Sequence, residues 1–202
     1  MTYNPHLIPG RLEIFCGPMY SGKTQAIIAR LDPLKHMNAE FIFFRPECDI
    51  RKNRDYGTKA VYVNQNHPEK ILDFVEEKHE LVAIDEVQFF SKDISKIMEH
   101  LLRKGKNVIA AGLDLDFKGE PFGCMPHILP IANEVIKSNS AICRYLENGG
   151  ICRQMATRTQ RLINGKPADY YAPIVSIEGI KTEETYEPRC LKHHFVPGKP
   201  KL

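Results

Sequence analysis

Gly17-Pro18-Met19-Tyr20-Ser21-Gly22-Lys23-Thr24 is the stretch whose reading decides the fold. It has the spacing G-x-x-x-x-G-K-[ST] and follows the apolar run Leu12, Ile14, Phe15. A strand therefore leads into a phosphate-binding loop. The glycines let backbone N–H groups turn inward around phosphate oxygens, Lys23 adds a point charge, and the Thr24 hydroxyl is of the type that holds Mg2+. A helix opening near Thr24 aims its positive dipole end at the same anion. A Gly-rich surface turn is the bland alternative, but strand and helix context agree with the first reading. All eight residues, Gly17, Pro18, Met19, Tyr20, Ser21, Gly22, Lys23 and Thr24, are assigned to nucleotide phosphates.

The whole chain sets bounds around that loop. Its 202 residues suit one domain of ordinary size or one plus a small appendage. A net charge of +3 is too small to point to nucleic acid or an anionic membrane as partner. No run is long enough to span a bilayer, and residues 1–10 lack the basic-then-apolar form of a signal peptide. A cytoplasmic location is expected. Six cysteines in a reducing compartment argue for metal or simple burial rather than a disulfide framework.

Downstream, the pattern alternates. Residues 25–31 read as helix, with Pro33 expected to end or kink it. Residues 40–44 and 61–63 read as strands, and 68–77 as a helix with Ile71, Phe74 and Val75 along one face. Between the two strands, Asp49 and Arg51 lie in a loop at a strand's C-terminal end, where open α/β sheets bind ligands. They either face a nucleotide or form a solvated charge pair. Leu81-Val82-Ala83-Ile84-Asp85-Glu86 reads as a buried parallel strand whose tip delivers carboxylates. In phosphate-loop proteins such an acid serves Mg2+, a role that falls to Asp85, and Glu86 is then a candidate general base. Residues 94–104 form an amphipathic helix closed by Gly105. Residues 108–112 are another buried strand, and the loop to Phe122 holds Phe117 and Phe122, which either pack or stack on a base. A short helix over 128–134 and a strand over 135–137 complete the series. The expected fold class is α/β, a P-loop (RecA-like), mostly parallel sheet with helices on both faces.

From Cys143 the pattern changes to a long polar stretch carrying Cys143, Cys152, Cys190 and His193. Cys190-x-x-His193 has the spacing of half a tetrahedral zinc site, whereas Cys143 and Cys152 enclose eight residues where two to four are usual. Three sulfurs and one imidazole still complete a closed structural site; separate buried thiols are the alternative. Cys16, Cys48 and Cys124 read as ordinary core or loop cysteines. The expected organisation is a nucleotide-binding α/β domain over 1–138 and a small zinc-binding lobe with a lasso-like lid loop over 139–202.

Several motifs, in this order, carry a resemblance. They are Gly17–Thr24 with Pro-Met-Tyr inside it, Asp49-x-Arg51, Asp85-Glu86-Val87-Gln88-Phe89-Phe90, and Gly112-Leu113-Asp114-x-Asp116-Phe117-x-Gly119-x-Pro121-Phe122. Ala156-Thr157-Arg158-Thr159-Gln160-Arg161-Leu162 and Tyr186-Glu187-Pro188-Arg189-Cys190-x-x-His193 follow. The chain resembles the type II thymidine kinases, a zinc-containing, tetrameric class, from Gly10 to His193. The resemblance implies transfer of the γ-phosphate of ATP to the 5′-hydroxyl of thymidine, with Glu86 as base. Arg51, beside Asp49, would stabilise the transferring phosphoryl group, and Asp85 would support Mg2+. Met19, Gln88, Phe89, Leu113, Phe117, Phe122 and Tyr186 would surround thymidine. A lid segment containing Ile174, Val175, Ser176, Ile177 and Glu178 would contact the base. Feedback inhibition by thymidine triphosphate and a homotetramer are inherited expectations. Two departures stand out: the spacer 144–151 inside the first ligand pair, read as an insertion that bulges outward, and a longer segment over 179–184 before Tyr186. The competing readings are a phosphate-loop ATPase with a zinc appendage for nucleic acid or protein, and a nucleotide sensor without turnover. The weak net charge opposes the first, and the presence of Glu86 and Arg51 opposes the second.

Overall fold

The computed structural model describes residues 10–37, 39–49, 57–138, 140–147, 149–174 and 183–200. The chain divides into two compact units. One runs to Cys16 and resumes over Lys23–Leu113 and Phe122–Lys137; the other takes Gly17–Gly22, Asp114–Pro121 and the chain from Ser138 onward.

The first unit is built on β1 (Leu12–Cys16), α1 (Lys23–His36), β2 (Phe41–Pro46), β3 (Val61–Val63), β4 (Leu81–Ile84), α2 (Ile94–Arg103), β5 (Asn107–Gly112), α3 (Met125–Ile128) and β6 (Glu134–Lys137). Its six strands form one sheet in the order β3-β2-β4-β5-β1-β6, with every pairing parallel. Because side chains alternate across a strand, each central strand feeds two cores. Leu12, Ile14, Val82, Ile84, Val108 and Ala110 join Met98 and Leu101 of α2 and Met125 and Ile128 of α3 in one cluster. Phe15, Phe43, Leu81, Ala83, Ile109 and Ala111 join Ile27, Leu31 and Leu34 of α1 in the other. Helices thus cover both faces, as expected of a phosphate-loop α/β fold.

Three element boundaries differ from the sequence reading, each for a local reason. Helix α1 runs through Pro33 to His36; Pro33 gives up one backbone donor near the helix end, and Leu34 beyond it is buried in the core. The segment from Pro68 is a 3-10 turn ending at Asp73 rather than a helix to residue 77, with only Pro68 and Ile71 buried. Beyond Ile71 the apolar cover is thin: Phe74 is exposed, and Leu72 and Val75 are only partly buried against the core. Residues 128–134 are not one helix. Pro126 opens α3 and Pro130 opens a separate 3-10 turn over Leu129–Ile131, each proline taking the first-turn position it favours.

The second unit holds a short antiparallel hairpin, β7 (Leu146–Glu147) with β8 (Gly150–Ile151), and a three-stranded antiparallel sheet. That sheet consists of β9 (Arg158–Ile163), β10 (Lys166–Pro167) and β11 (Glu184–Arg189), in the order β10-β9-β11. Its buried residues include Thr159, Gln160 and Arg161, so hydrogen bonds and ion pairs do much of what apolar contact does in the first unit. Among the described residues no helix is long and apolar enough to cross a membrane.

Candidate functional site

The tip of β4 gathers a cluster of buried polar residues. Asp85 follows the strand directly, and its backbone N–H donates to the Phe44 carbonyl at 3.0 Å. Its carboxylate accepts the Thr24 hydroxyl at 3.0 and 3.3 Å, which ties the phosphate loop's threonine to the strand-end acid. Arg45 at the end of β2 sits 2.5 Å from Asp49 and 3.6 Å from Asp85, and all three side chains are buried. Burial pushes the Asp85 carboxyl up to about 6, and the neighbouring Glu86 charge adds to the rise. Arg45 and the Thr24 hydroxyl pull the other way. An acid so disposed favours a cation that would offset its buried charge.

Glu86 adopts the left-handed conformation, φ 52° and ψ 39°, a sparsely populated region for a residue with a side chain. Its carboxylate is held by Gln88, whose amide N–H donates to Glu86 Oε2 at 2.7 Å. The Gln88 amide oxygen accepts the Leu113 backbone N–H at 3.1 Å. Gln88 is 1% exposed, and the chain crowds it from two sides. A Cβ on Gly112 would lie 2.6 Å from its amide oxygen, and one on Gly123 would lie 2.0 Å from its carbonyl oxygen. Both glycines are needed for that close approach. Phe89 and Phe122 meet edge to face, with ring centroids 5.5 Å apart.

In the second unit, the loop Gly17–Gly22 has Tyr20 at φ 63° between Gly17 and Gly22, which also have positive φ. Its shape is fixed by neighbours. The Met19 N–H donates to the Thr159 hydroxyl at 3.0 Å. The Ser21 carbonyl accepts the hydroxyls of Ser138 and, at 2.7 Å, Ser140. Phe117 is buried, with the Arg161 guanidinium 5.4 Å from its ring centroid. Arg161 also donates to the Pro173 carbonyl and pairs with Glu184 at 2.5 Å. Tyr186 lies on β11, its hydroxyl 3.5 Å from Glu184, and Ile174 is exposed.

Cys143, Cys152, Cys190 and His193 converge in the same unit, their ligand atoms all within 4.8 Å of one another. His193 Nδ1 is 3.7 Å from the Cys143 sulfur and 3.4 Å from that of Cys190. Zinc with Zn–S near ~2.3 Å and Zn–N near ~2.0 Å spaces its donors at roughly this separation, so the donor set fits the ion. Burial alone raises the Cys143 thiol, but hydrogen bonds from the backbone at Cys190 and Tyr145 and from His193 outweigh it and bring it down to about 7. A thiol so lowered is readily available as the thiolate ligand. Between Cys143 and Cys152 the described residues form β7 and β8, and the Cys152 sulfur lies with the other three ligand atoms despite the long spacer. No disulfide joins any of the six cysteines, and Cys16 and Cys124 are core residues.

A family model described as thymidine kinase matches residues 10–194. The chain belongs to the thymidine kinase family. A thymidine kinase of Coprothermobacter proteolyticus is 42% identical over 197 residues, which cover 94% of this chain and 93% of that protein. Membership makes the chain an ATP-dependent kinase.

For a member of this family, the structure distributes the sequence-predicted site residues as follows. Lys23, Thr24, Asp49, Asp85, Glu86, Gln88, Phe89, Leu113 and Phe122 belong to the first unit. Gly17–Gly22, Phe117, Ile174, Tyr186 and the four metal-ligand candidates belong to the second. Arg51, Val175, Ser176, Ile177 and Glu178 lie outside the described residues. Two residues given no role from sequence emerge as organisers. Arg45 joins Asp49 to Asp85, and Arg161 joins Pro173 to Glu184. The only sequence signal for Arg45 is a cation ending an apolar run, which many surface strands share. Arg161 sits within a polar segment whose burial no periodicity announces.

Proposed function

We propose that this thymidine kinase family member transfers the γ-phosphoryl group of ATP to the 5′-hydroxyl of thymidine, giving thymidine monophosphate for DNA precursor synthesis. The observation that carries the reading is the Asp85–Glu86 tip. One buried carboxylate is tied to the phosphate-loop threonine, and the next is steered by a buried glutamine. Phosphoryl transfer through a loose transition state asks for positioning and charge stabilisation more than covalent chemistry. In this reading Gly17–Thr24 binds the phosphates of Mg2+·ATP, with Lys23 offsetting charge and Asp85 and Thr24 serving the cation. Arg51 stabilises the transferring group, and Arg45 and Asp49 hold the carboxylate framework in place. Glu86 accepts the 5′-hydroxyl proton late, so its geometry counts for more than its basicity.

Met19, Phe89, Leu113, Phe117, Phe122 and Tyr186, with the segment 174–178, enclose the nucleoside, while Gln88 acts through Glu86. The four ligands Cys143, Cys152, Cys190 and His193 hold a structural zinc ion, because four protein donors leave no position open to substrate. The proposed division of labour is nucleotide binding in 1–138 and metal and lid in 139–202. A homotetramer in the cytoplasm, inhibited by thymidine triphosphate, completes the reading; its support is the resemblance to type II enzymes. The test is ADP release from Mg2+·ATP. Thymidine should stimulate it, and deoxycytidine, which presents a donor where thymine presents an acceptor, should not replace it.

A further inference from the structure

The hairpin between Cys143 and Cys152 is more than a detour between two ligands. His193 turns Nδ1 toward the sulfurs of Cys143 and Cys190, so its other nitrogen, Nε2, is left to a different partner. That partner comes from the hairpin: Glu147 Oε2 lies 3.3 Å from His193 Nε2. The other Glu147 oxygen is held by Lys192 Nζ at 2.8 Å, which aims the carboxylate. Two residues earlier, the Tyr145 ring stacks on the His193 imidazole, with centroids 4.4 Å apart and planes inclined by 20°. The Arg189 guanidinium sits 5.0 Å from the Tyr145 ring centroid. The Cys152 N–H donates to the Tyr145 carbonyl at 2.9 Å, locking the hairpin base beside the ligands. One segment therefore lays a ring against the plane of the imidazole and places a carboxylate beside its outer nitrogen.

We propose that Glu147 and Tyr145 are positioning residues of the metal centre. Glu147 accepts the Nε2–H of His193, which commits the ring to the tautomer whose Nδ1 lone pair faces the metal, and Tyr145 holds the plane of the ring. A neutral imidazole donates to a metal through one nitrogen and carries its proton on the other. A carboxylate at the protonated nitrogen both selects the tautomer and strengthens the donor. The proposal rests on the zinc reading of the four ligands, and it assigns the eight-residue spacer a function in metal retention.

The test measures zinc affinity of the full-length protein by competition with a chromophoric chelator. Losing such a carboxylate typically lowers metal affinity by about 10–100-fold, and that loss is expected for Glu147→Ala. Glu147→Gln, whose amide oxygen can accept the same N–H, should recover most of it. Cobalt substitution adds a readout that a merely structural hairpin would not move: the d–d bands should shift in Glu147→Ala and return toward wild type in Glu147→Gln. Should the alanine variant fail to fold, Glu147→Met preserves side-chain bulk and carries the same expectation. Wild-type affinity with an unchanged cobalt spectrum in the alanine or methionine variant would overturn the proposal. A wild-type protein that takes up no zinc would overturn the metal reading itself, and the proposal with it.

Discussion

Glu86 occupies a left-handed backbone position that costs a non-glycine residue about 1–3 kcal/mol. Its side chain is oriented by a glutamine that the sheet and two glycines enclose. Glu86→Gln keeps the shape and removes the base, so nucleotide binding should stay near normal while kcat falls by about two orders of magnitude or more. Steady-state kinetics beside a nucleotide-binding titration would check this, and near-normal turnover would remove Glu86 from the role. Asp85 leads to a pH dependence. Its folded-state carboxyl is raised to about 6 by burial and by Glu86, above its unfolded range, so folding takes up a proton between the two. The resulting stability is fully present below the unfolded carboxyl range and is lost as pH rises through about 6. Denaturant unfolding of metal-free protein should therefore show stability increasing as pH drops from 7 toward 5. Asp85→Asn should lose that contribution to the slope; an identical slope in the variant would contradict the assignment.

At the scale of elements, Arg161 on β9 carries two tasks, donating to the Pro173 carbonyl and pairing with Glu184 on β11. Arg161→Met keeps the stem's length but leaves the partly buried Glu184 carboxylate without this cation. Breaking such a pair should cost about 3 kcal/mol. A urea midpoint unchanged from wild type would show the pair to be dispensable. These elements also show where the sequence was readable. β1, β4 and β5 are apolar runs because both faces of a parallel sheet are covered, and their alternation with α1 and α2 follows from that. β9 and β11 carry no apolar period because their buried positions include Thr159, Gln160, Arg161 and Arg189, whose polar groups pair with the Met19 N–H, the Phe195 backbone, Glu184 and Glu187. The 3-10 turn at Pro68 and the continuation of α1 past Pro33 were decided by which apolar residue found a core, a fact local propensity does not contain. In the site, the acids at the end of β4 were legible because a carboxylate closing a buried run is a sequence pattern. The link from Arg45 to Asp85 was not, because it joins the ends of two different strands.

For the whole molecule, the phosphate loop alone says only that a phosphate is bound. Family membership and the arrangement at the tip of β4 turn that into a direction of transfer from ATP to a nucleoside hydroxyl. The most direct test is ADP release from Mg2+·ATP by the purified protein, followed with thymidine, with deoxycytidine and with neither. Turnover should depend on thymidine and yield one thymidine 5′-monophosphate per ADP, with deoxycytidine a poor substitute. ADP release indifferent to thymidine, or equal with deoxycytidine, would contradict it.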